Sequence, residues 1–352
     1  MSTVRIRGVA LPDGEPVDLF ADGDRWTDDP VRGAELAAEG WLVPGLVDAH
    51  THPGADKPGQ PLDQALLRDD LRAHVAAGVT MIRSPGLAGD PPAWFGQDAD
   101  LPRAVHAGPW IAQHGQFFDG WGRRADLAEL PAVAAEQAAR TGWAKIIGDW
   151  GPDDPAIPVA VLAAVTEAVH GAGGRVAVHS QQAAGGAAAV AAGVDSLEHG
   201  MCLDPGLLPR MTEQRIALTP TLMVLTASLA GVRKRPDGPR KDWYLRGATA
   251  HPALVAAAAE AGVTILAGTD SSPHGRVADE IRALAAAGLR AHDALAAGSW
   301  SARAYLGLGG LTPGAPADAV VYDADPRLDL DRLNAPRAVI LRGRIVHRRP
   351  AG

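Results

Sequence analysis

One repeated pattern constrains the fold of this 352-residue chain more than any other feature. From residue 42 onward, a short apolar run that ends in a polar or small residue precedes an alanine-rich helical stretch, which closes at a glycine. Strands that alternate with helices predict a parallel sheet, and eight such units predict a closed (β/α)8 TIM barrel. An open doubly wound sheet is the alternative. The predicted strands cover residues 42–52, 79–85, 104–112, 143–150, 175–180, 194–200, 216–222 and 263–270.

The two ends of the chain carry a different pattern. Residues 1–41 are polar and rich in turns, and the tail returns to short β-strand signals after the last predicted helices. We therefore expect residues 1–41 and 311–352 to form one small β-sandwich domain beside a barrel of residues 42–310. The predicted helices cover residues 62–77, 125–141, 159–172, 181–192, 251–261, 277–287 and 292–306.

Composition argues against several classes of protein. The formal net charge is -8, and no block of the sequence is basic enough to indicate nucleic-acid binding. No segment reaches the roughly 20 apolar residues of a membrane helix, and the first residues lack the apolar stretch of a signal peptide. The single cysteine, Cys202, leaves no internal disulfide. We expect a cytoplasmic protein that acts on a small molecule, without nucleic-acid or membrane partners; the sequence leaves a homo-oligomer open.

Metal-binding side chains gather at the ends of four predicted strands. His50 and His52 are two residues apart on the first strand, so both point to the same side. His179 ends the fifth strand, His199 the sixth and Asp270 the eighth. One histidine in such a place is most often a satisfied core or rim residue. Five such side chains, at the rim where barrel active sites lie, instead predict a metal site.

Lys145 is one of only four lysines in the chain. It lies within the apolar fourth strand, where burial favours the neutral amine over the ammonium ion. A neutral amine can add carbon dioxide and become a carbamate, an anion whose two oxygen atoms suit the bridging of two cations. The alternative is a lysine neutralised by a nearby acid such as Asp149 or Asp270.

Together these motifs resemble the amidohydrolase superfamily, most closely its imidazolonepropionase-like and Xaa-Pro dipeptidase-like branch. The resemblance covers nearly the whole chain. The motifs that carry it are Pro44-Gly45-Leu46-Val47-Asp48, His50-Thr51-His52, Lys145, His179, Glu198-His199-Gly200, Gly268-Thr269-Asp270 and the tail segment 313–321.

The resemblance implies a centre of two divalent metal ions, with zinc as the default for such ligands. A water shared by the two ions would attack the substrate, and Asp270 would be the catalytic proton shuttle. The implied reaction is hydrolysis of an amide C–N bond in an N-acyl amino acid, a dipeptide or a cyclic amide. The implied ligands are His50, His52 and Asp270 for one ion, His179 and His199 for the other, and N6-carboxylysine at Lys145 as the bridge.

Three residues are candidates for substrate binding. His114 follows the third strand, where dipeptidase relatives often carry a Gly-Gly-His motif, and it is either a substitute for that histidine or a simple loop residue. Trp121 is one of three tryptophans in or beside loops at the barrel mouth, which would form a flat apolar pocket. His274 would orient a substrate carbonyl. The predicted loop 223–250 carries several cations and is either a lid that recognises a carboxylate or a solvated surface.

Two other functions remain open on sequence grounds. The first is a lactone or ester hydrolase, or a mononuclear deaminase, on the same fold. A deaminase usually needs an extra acid near the fifth strand, and His179 is followed by Ser180-Gln181-Gln182 with no acid. The second is a non-catalytic barrel scaffold, in which we would expect metal ligands to be lost, whereas all six are present.

Overall fold

The computed structural model describes residues 3–350. Its strands are β1 (Val4–Ala10), β2 (Glu15–Asp22), β3 (Arg25–Thr27), β4 (Glu35–Pro44), β5 (Leu46–Asp48), β6 (Val79–Ser84), β7 (Arg103–His106), β8 (Ile111–Ala112), β9 (Arg123–Arg124), β10 (Trp143–Ile147), β11 (Arg175–Ser180), β12 (Ser196–His199), β13 (Ala217–Thr219), β14 (Ala319–Tyr322), β15 (Ala338–Leu341) and β16 (Arg344–Arg348).

The helices are α1 (Gln64–Ala76), α2 (Leu130–Thr141), α3 (Val159–Gly171), α4 (Ala183–Ala192), α5 (Leu208–Gln214), α6 (Leu222–Arg233), α7 (Pro239–Glu260), α8 (Val277–Ala286), α9 (Ala291–Ala297) and α10 (Trp300–Tyr305), with short 3-10 turns at Pro205–Leu207 and Leu330–Asn334. Within residues 3–350, no helix has both the length and the apolar character needed to cross a membrane.

Parallel pairing links the strands of the repeating units into a ring. β5, β6 and β7 pair in that order, and β8, β10, β11, β12 and β13 form a second parallel series. The two series meet where Leu87 pairs with Pro109. They meet again through residues 263–267, which hydrogen-bond to Leu218 of β13 and to Ala49, the residue after β5. This is the strand order of a TIM-barrel-type fold.

Two predicted barrel strands are interrupted. Residues 104–112 form β7 and β8, because Gly108 has a left-handed backbone and Pro109 has no N–H for the ladder. The eighth segment has no regular strand; it meets its neighbour in one bridge between Leu218 and Ile265. Its chain is also held from the helical layer, since Ala267 N–H donates to the carbonyl of a residue at the end of α9.

One prediction about the segments that flank the site is corrected by the structure. The predicted loop at 223–250 is wrong, because the structure forms α6 and the first half of α7 there. Only the short stretch 234–238, which contains Pro236 and Gly238, breaks the helical backbone. The apolar side chains Leu222, Leu225 and Val232 are buried. Packing of α6 therefore stabilises a helix where the local sequence indicates a turn.

Head and tail pair as expected. They form one seven-stranded sheet in the order β16-β15-β14-β4-β1-β2-β3. The predicted first barrel strand began too early, since residues 42–44 belong to β4 and pair with β14 in this sheet. Gly45 separates the two strands, and a side chain there would overlap Thr80, because an added Cβ would lie 2.0 Å from the Thr80 hydroxyl. The sandwich arrangement and the domain bounds stay predictions.

Candidate metal centre

A buried carboxylate joins the two chain segments that carry His50 and Asp270. Asp48 accepts hydrogen bonds from His50 N–H at 3.2 Å, from Thr269 N–H at 3.1 Å and from the Thr269 hydroxyl at 2.7 Å. Asp270 N–H in turn donates to the His50 carbonyl at 2.7 Å. Gly268 permits this approach, because a Cβ added there would lie 2.5 Å from the Cβ of His50. The first and eighth segments are thereby fixed side by side.

Three side chains converge at this junction. Nε2 of His50 lies 3.1 Å from Nε2 of His52. Oδ1 of Asp270 lies 3.3 Å from His52 Nε2 and 3.8 Å from His50 Nε2. One ligand atom from each residue falls within 4.8 Å of the others, which is the spacing of side chains that share a cation.

The hydrogen bonds of the two imidazoles fix which nitrogen is free. Nδ1–H of His50 donates to the Glu198 carboxylate at 2.7 Å, and Nδ1–H of His52 donates to the Gly86 carbonyl at 2.7 Å. Because neither acceptor carries a proton to share, each Nε2 presents a lone pair whenever its imidazole is neutral. Two lone pairs 3.1 Å apart repel unless a cation lies between or beside them.

Glu198 is itself held by a buried arginine. Arg83 Nη2 donates to both Glu198 oxygens at 2.9 Å, and the Ser196 hydroxyl donates to one of them at 2.5 Å. Although burial alone would raise the pKa of Glu198, the Arg83 guanidinium and the Lys145 amine nearby hold that pKa well below its ordinary value. His50 therefore donates to a permanent carboxylate, as metal-binding histidines commonly do.

The remaining three predicted ligands line the same cavity. Lys145 on β10 pairs in register with Ala177, and His179 on β11 is in register with Glu198 on β12. Lys145 is only 1% exposed, and neither its Nζ nor Nε2 of His179 has a hydrogen-bond partner within residues 3–350. Two acids were considered as neutralising partners of Lys145, and neither Asp149 nor Asp270 hydrogen-bonds to its Nζ. Asp149 accepts instead from Ser180 and the two following backbone N–H groups.

Burial favours the uncharged forms of the histidines and of Lys145. It lowers the pKa of His50 to about 4 and that of His179 to about 3, and it holds the pKa of His199 well below the ordinary value. Burial also lowers the pKa of Lys145 to about 8. The site therefore holds neutral imidazoles, the form that binds metal, beside an amine whose neutral form is accessible.

His199 is aimed by its own backbone and by a hydroxyl. It has a φ of 65°, and its Nδ1 lies 2.8 Å from the hydroxyl of Thr221, a residue with a φ of 49°. The next two backbone N–H groups, at the start of α6, donate to the buried carboxylate of Glu280 at 2.9 and 2.7 Å. Glu280 thus fixes the turn that presents Thr221 to His199.

The six predicted ligands open into one cavity of about 580 Å³. Its walls differ in chemistry. Aromatic rings come from the residue before β8 and from the loops after β8 and β10, and cationic side chains come from the turn between α6 and α7 and from the first turn of α7. The aromatic residues from beside β8 and from these loops are Trp110, Phe117, Phe118, Trp121 and Trp150, and the cationic residues are Arg235, Arg240 and Lys241; Trp243 and Tyr244 of α7 also line the cavity.

The three predicted substrate-binding residues have different places. Trp121 lines the cavity, and its indole N–H donates to the Gln60 carbonyl at 2.6 Å. His114 is exposed and does not line the cavity. His274 does not line it either, because its two nitrogens lie 3.0 Å from the Thr51 hydroxyl and 3.4 Å from the Asp70 carboxylate. The structure gives no support to a substrate role for His114 or His274.

Sequence reasoning missed several supporting residues. Arg83 interrupts an apolar strand as Lys145 does, so the same burial argument would have marked it. Asp48 and Glu198 stand two and one residues before a predicted ligand, and both were quoted as motif letters without a role. The sequence showed the cations between residues 233 and 241, but it did not show that they lie at the end of α6, in the turn that follows and at the start of α7.

The donor set fits divalent metal ions. Imidazole nitrogens and a carboxylate oxygen are ligands that zinc accepts readily. In their neutral form, the imidazoles of His50 and His52 bring two Nε2 lone pairs to 3.1 Å from each other, and two buried polar atoms, Nζ of Lys145 and Nε2 of His179, lack partners within residues 3–350. Cations at this place would satisfy all of them.

Comparisons with known proteins agree with the geometry. An uncharacterized protein of Mycobacterium tuberculosis is 39% identical over 362 aligned positions, covering 97% of this chain and 95% of that protein. A Xaa-Pro dipeptidase with bound methionine superposes with a TM-score of 0.85 at 22% identity, covering 98% of this chain and 99% of that one. The ochratoxinase of Aspergillus niger gives a TM-score of 0.83 at 22% identity, covering 99% and 96%. The two structures support the fold. The family model described as "Amidohydrolase family" matches residues 41–346, and the chain therefore belongs to the amidohydrolase family.

Proposed function

We propose that this protein hydrolyses an amide C–N bond of a small N-acyl amino acid, dipeptide or cyclic amide at a centre of two divalent metal ions. Membership of the amidohydrolase family makes the protein a hydrolase of this general kind. The observation that carries the proposal is the pair of bare imidazole nitrogens, His50 Nε2 and His52 Nε2, 3.1 Å apart beside Asp270.

We assign His50, His52 and Asp270 to one ion. His179 and His199, whose ring centroids are 4.6 Å apart, are assigned to the other. Lys145 as a carbamate is the proposed bridge, and its unpartnered, buried Nζ supports this assignment. Two divalent ions held there would lower the pKa of a shared water and polarise the scissile carbonyl.

Asp270 is the residue that we assign to proton transfer. Its backbone is fixed to His50, while its side chain remains 28% exposed toward the cavity, so a substrate can reach the carboxylate. A carboxylate in this place accepts the proton of the attacking water. It then delivers that proton to the leaving nitrogen, which departs as a neutral amine rather than as a poor amide anion.

The cations of the α6–α7 turn and of the first turn of α7 suit a substrate carboxylate. Arg235 and Arg240 line the cavity, and neither has a carboxylate within ion-pair distance among residues 3–350. Lys241 is already occupied, since its Nζ donates to the Asp237 carboxylate at 2.8 Å and to the Arg235 carbonyl at 2.9 Å. An N-acyl amino acid or a dipeptide brings the carboxylate that would pair with the free guanidinium groups.

Two relatives have names that point the same way. The Xaa-Pro dipeptidase and a prolidase complexed with n-methylphosphonate-l-proline are named for amide substrates of amino acids. Both share the fold of this chain at 22% identity. Their substrates support an amide of an amino acid here and leave the side chain of that amino acid to experiment.

The test combines metal analysis with a substrate screen. We expect the purified protein to hold two metal ions per chain and to hydrolyse members of a panel of N-acyl amino acids, dipeptides and cyclic amides until a chelator removes the metal. Lys145→Ala should lose at least one ion and nearly all activity, whereas Lys57→Ala, at an exposed lysine, should match the wild type.

Three outcomes would change the proposal. Retention of both ions by Lys145→Ala would contradict the bridging role. Hydrolysis of lactones or esters alone would replace the amide reaction with the ester alternative. A metal-loaded protein that hydrolyses no member of the panel would refute the proposed reaction.

A further inference from the structure

Five aromatic side chains form one continuous surface in the cavity. We call this surface the aromatic wall and define it as Trp110, Phe117, Phe118, Trp121 and Trp150. Trp110 and Trp121 stack with ring centroids 5.0 Å apart and planes inclined by 18°. Phe118 meets Trp150 edge to face at 4.7 Å, and Phe117 joins the two halves at 5.3 Å from Trp110 and 5.1 Å from Trp150.

The aromatic wall reaches the proposed metal ligands at both ends. The Trp110 ring lies 5.0 Å from the ring of His52, and the Trp150 ring lies 5.6 Å from the ring of His179. Since these histidines are assigned to different ions, the wall spans the whole centre. A group bound against it is therefore beside the scissile bond.

Packing alone does not account for this surface. Phe118 is 39% exposed, one of four large apolar side chains so exposed within residues 3–350, and Phe117 and Trp150 are only half-buried. Arg124 holds the loop in place by donating to the Trp121 carbonyl at 2.6 Å and the Phe118 carbonyl at 2.8 Å. The wall is thus an ordered apolar face kept open to the cavity.

The charge of the cavity identifies the kind of group that fits. Aromatic rings bind either flat neutral rings or cations through their π faces. Arg235 and Arg240 share the cavity and disfavour a cationic ligand, and no Arg or Lys within residues 3–350 stacks on a ring of the wall. A neutral aromatic ring remains.

We infer that the aromatic wall is the specificity site of the enzyme and that its substrates are carboxylate-bearing amides with a neutral aromatic ring next to the scissile bond. This inference rests on the proposed function. Arg240 lies close to the Trp150–Gly151 turn, so a substrate carboxylate bound to Arg240 would also lie close to the aromatic wall. The aromatic ring of the substrate can therefore belong to either the acyl group or the amino acid. Stacking and edge contacts, together with burial of the ring, provide the selectivity.

The experiment compares three substrates: N-benzoylalanine, N-acetylphenylalanine and N-acetylalanine. We expect kcat/KM for at least one of the two aromatic substrates to exceed that for N-acetylalanine by about tenfold or more. Phe118→Ala should lower that higher kcat/KM by about tenfold, mainly through KM, and should lower the value for N-acetylalanine far less. Phe118→Tyr should keep the higher kcat/KM for the aromatic substrate, and neither substitution should change the metal content.

A binding measurement separates this inference from the proposed reaction. Calorimetric titration with benzoate and with acetate should show tighter binding of benzoate by the wild type and loss of that difference in Phe118→Ala. Leu328→Ala, at an apolar residue that is 86% exposed and does not line the cavity, is the matched control. Tighter benzoate binding without hydrolysis of any amide would retain the aromatic site and reject the reaction. Equal kcat/KM for all three substrates, or an equal loss for all three in Phe118→Ala, would overturn the aromatic site.

Discussion

Replacing Lys145 by methionine should change stability and metal binding in opposite directions. The Lys145 amine is buried without a hydrogen-bond partner within residues 3–350, so the metal-free protein bears the cost of desolvating it. Methionine has a similar length, no charge and a flexible side chain that fills the same space. The metal-free Lys145→Met variant should therefore be more stable than the wild type, although it lacks the group that we propose to bridge the ions.

The size of the gain follows from the pKa of Lys145, which burial lowers from 10.5 to about 8. Each tenfold change in an acid constant is worth about 1.4 kcal/mol, so the cost to the folded protein at pH 7 is about 3 kcal/mol. Because the folded state binds this proton less tightly than the unfolded chain, the cost is full below pH 8 and disappears as the pH rises toward 10.5. Lys145→Met should thus gain about 3 kcal/mol at pH 7 and less than about 1 kcal/mol at pH 10.5.

Urea unfolding of chelator-treated protein, in buffer free of carbon dioxide, measures this difference at both pH values. Lys57→Met is the control, since Lys57 is exposed and its replacement should leave the unfolding curve in place. The same variants are then reloaded with metal and analysed for metal content, where only Lys145→Met should fall short. A Lys145→Met protein that is less stable than the wild type at pH 7 would mean that the amine has a stabilising partner, and the carbamate assignment would lose its basis.

Three further predictions concern the acidic residues Glu198, Asp270 and Glu280. Glu198→Gln should weaken metal binding about 10- to 100-fold by removing the charged acceptor of His50, as measured by competition with a chromogenic chelator; unchanged affinity would contradict the role of Glu198. Asp270→Asn should lower kcat by about 100-fold or more with a much smaller change in KM in steady-state assays, and equal changes in both would argue against proton transfer. Burial raises the pKa of Glu280 to about 8, so wild-type stability should fall by about 3 kcal/mol from pH 5 to pH 8 through this group; urea unfolding of Glu280→Gln should lack that fall, and parallel profiles would refute the assignment.

The prediction of the fold depended on local sequence patterns. Apolar runs closed by glycine are repeated along the chain, and β11 begins and ends where the sequence predicts. The segment 223–250 fails because its signals conflict: cationic residues, Pro236 and Gly238 indicate a loop, whereas burial of Leu222, Leu225 and Val232 stabilises a helix. Such burial depends on the helices packed around the segment, which the local pattern does not contain.

The residues of the candidate site also differ in whether the local sequence is enough to recognise them. Lys145 could be marked from its own surroundings, because one lysine in an apolar strand is unusual. The importance of Arg83 depends on Glu198, 115 residues further along the chain, and that of Asp48 depends on Thr269, 221 residues away. Neither pairing leaves a spacing signal within its own motif. Residues that bind metal can be recognised by type and position, but residues that hold them need the fold.

The supporting residues Asp48 and Glu280 hold strained backbone positions at the site. Within residues 3–350, six residues other than glycine have a positive φ, and four of them lie at the cavity or touch a residue that does: Phe117, His199, Thr221 and Asp270. Such backbones cost roughly 1–3 kcal/mol each and persist only where other contacts fix them. Asp48 fixes Thr269, the residue before Asp270, and Glu280 fixes the turn at Thr221, which in turn orients His199. We infer that these strained backbones lower the stability of the protein and direct two proposed metal ligands, His199 and Asp270, into the cavity. Removing the carboxylate of Asp48 or Glu280 should therefore disturb the site before it unfolds the protein.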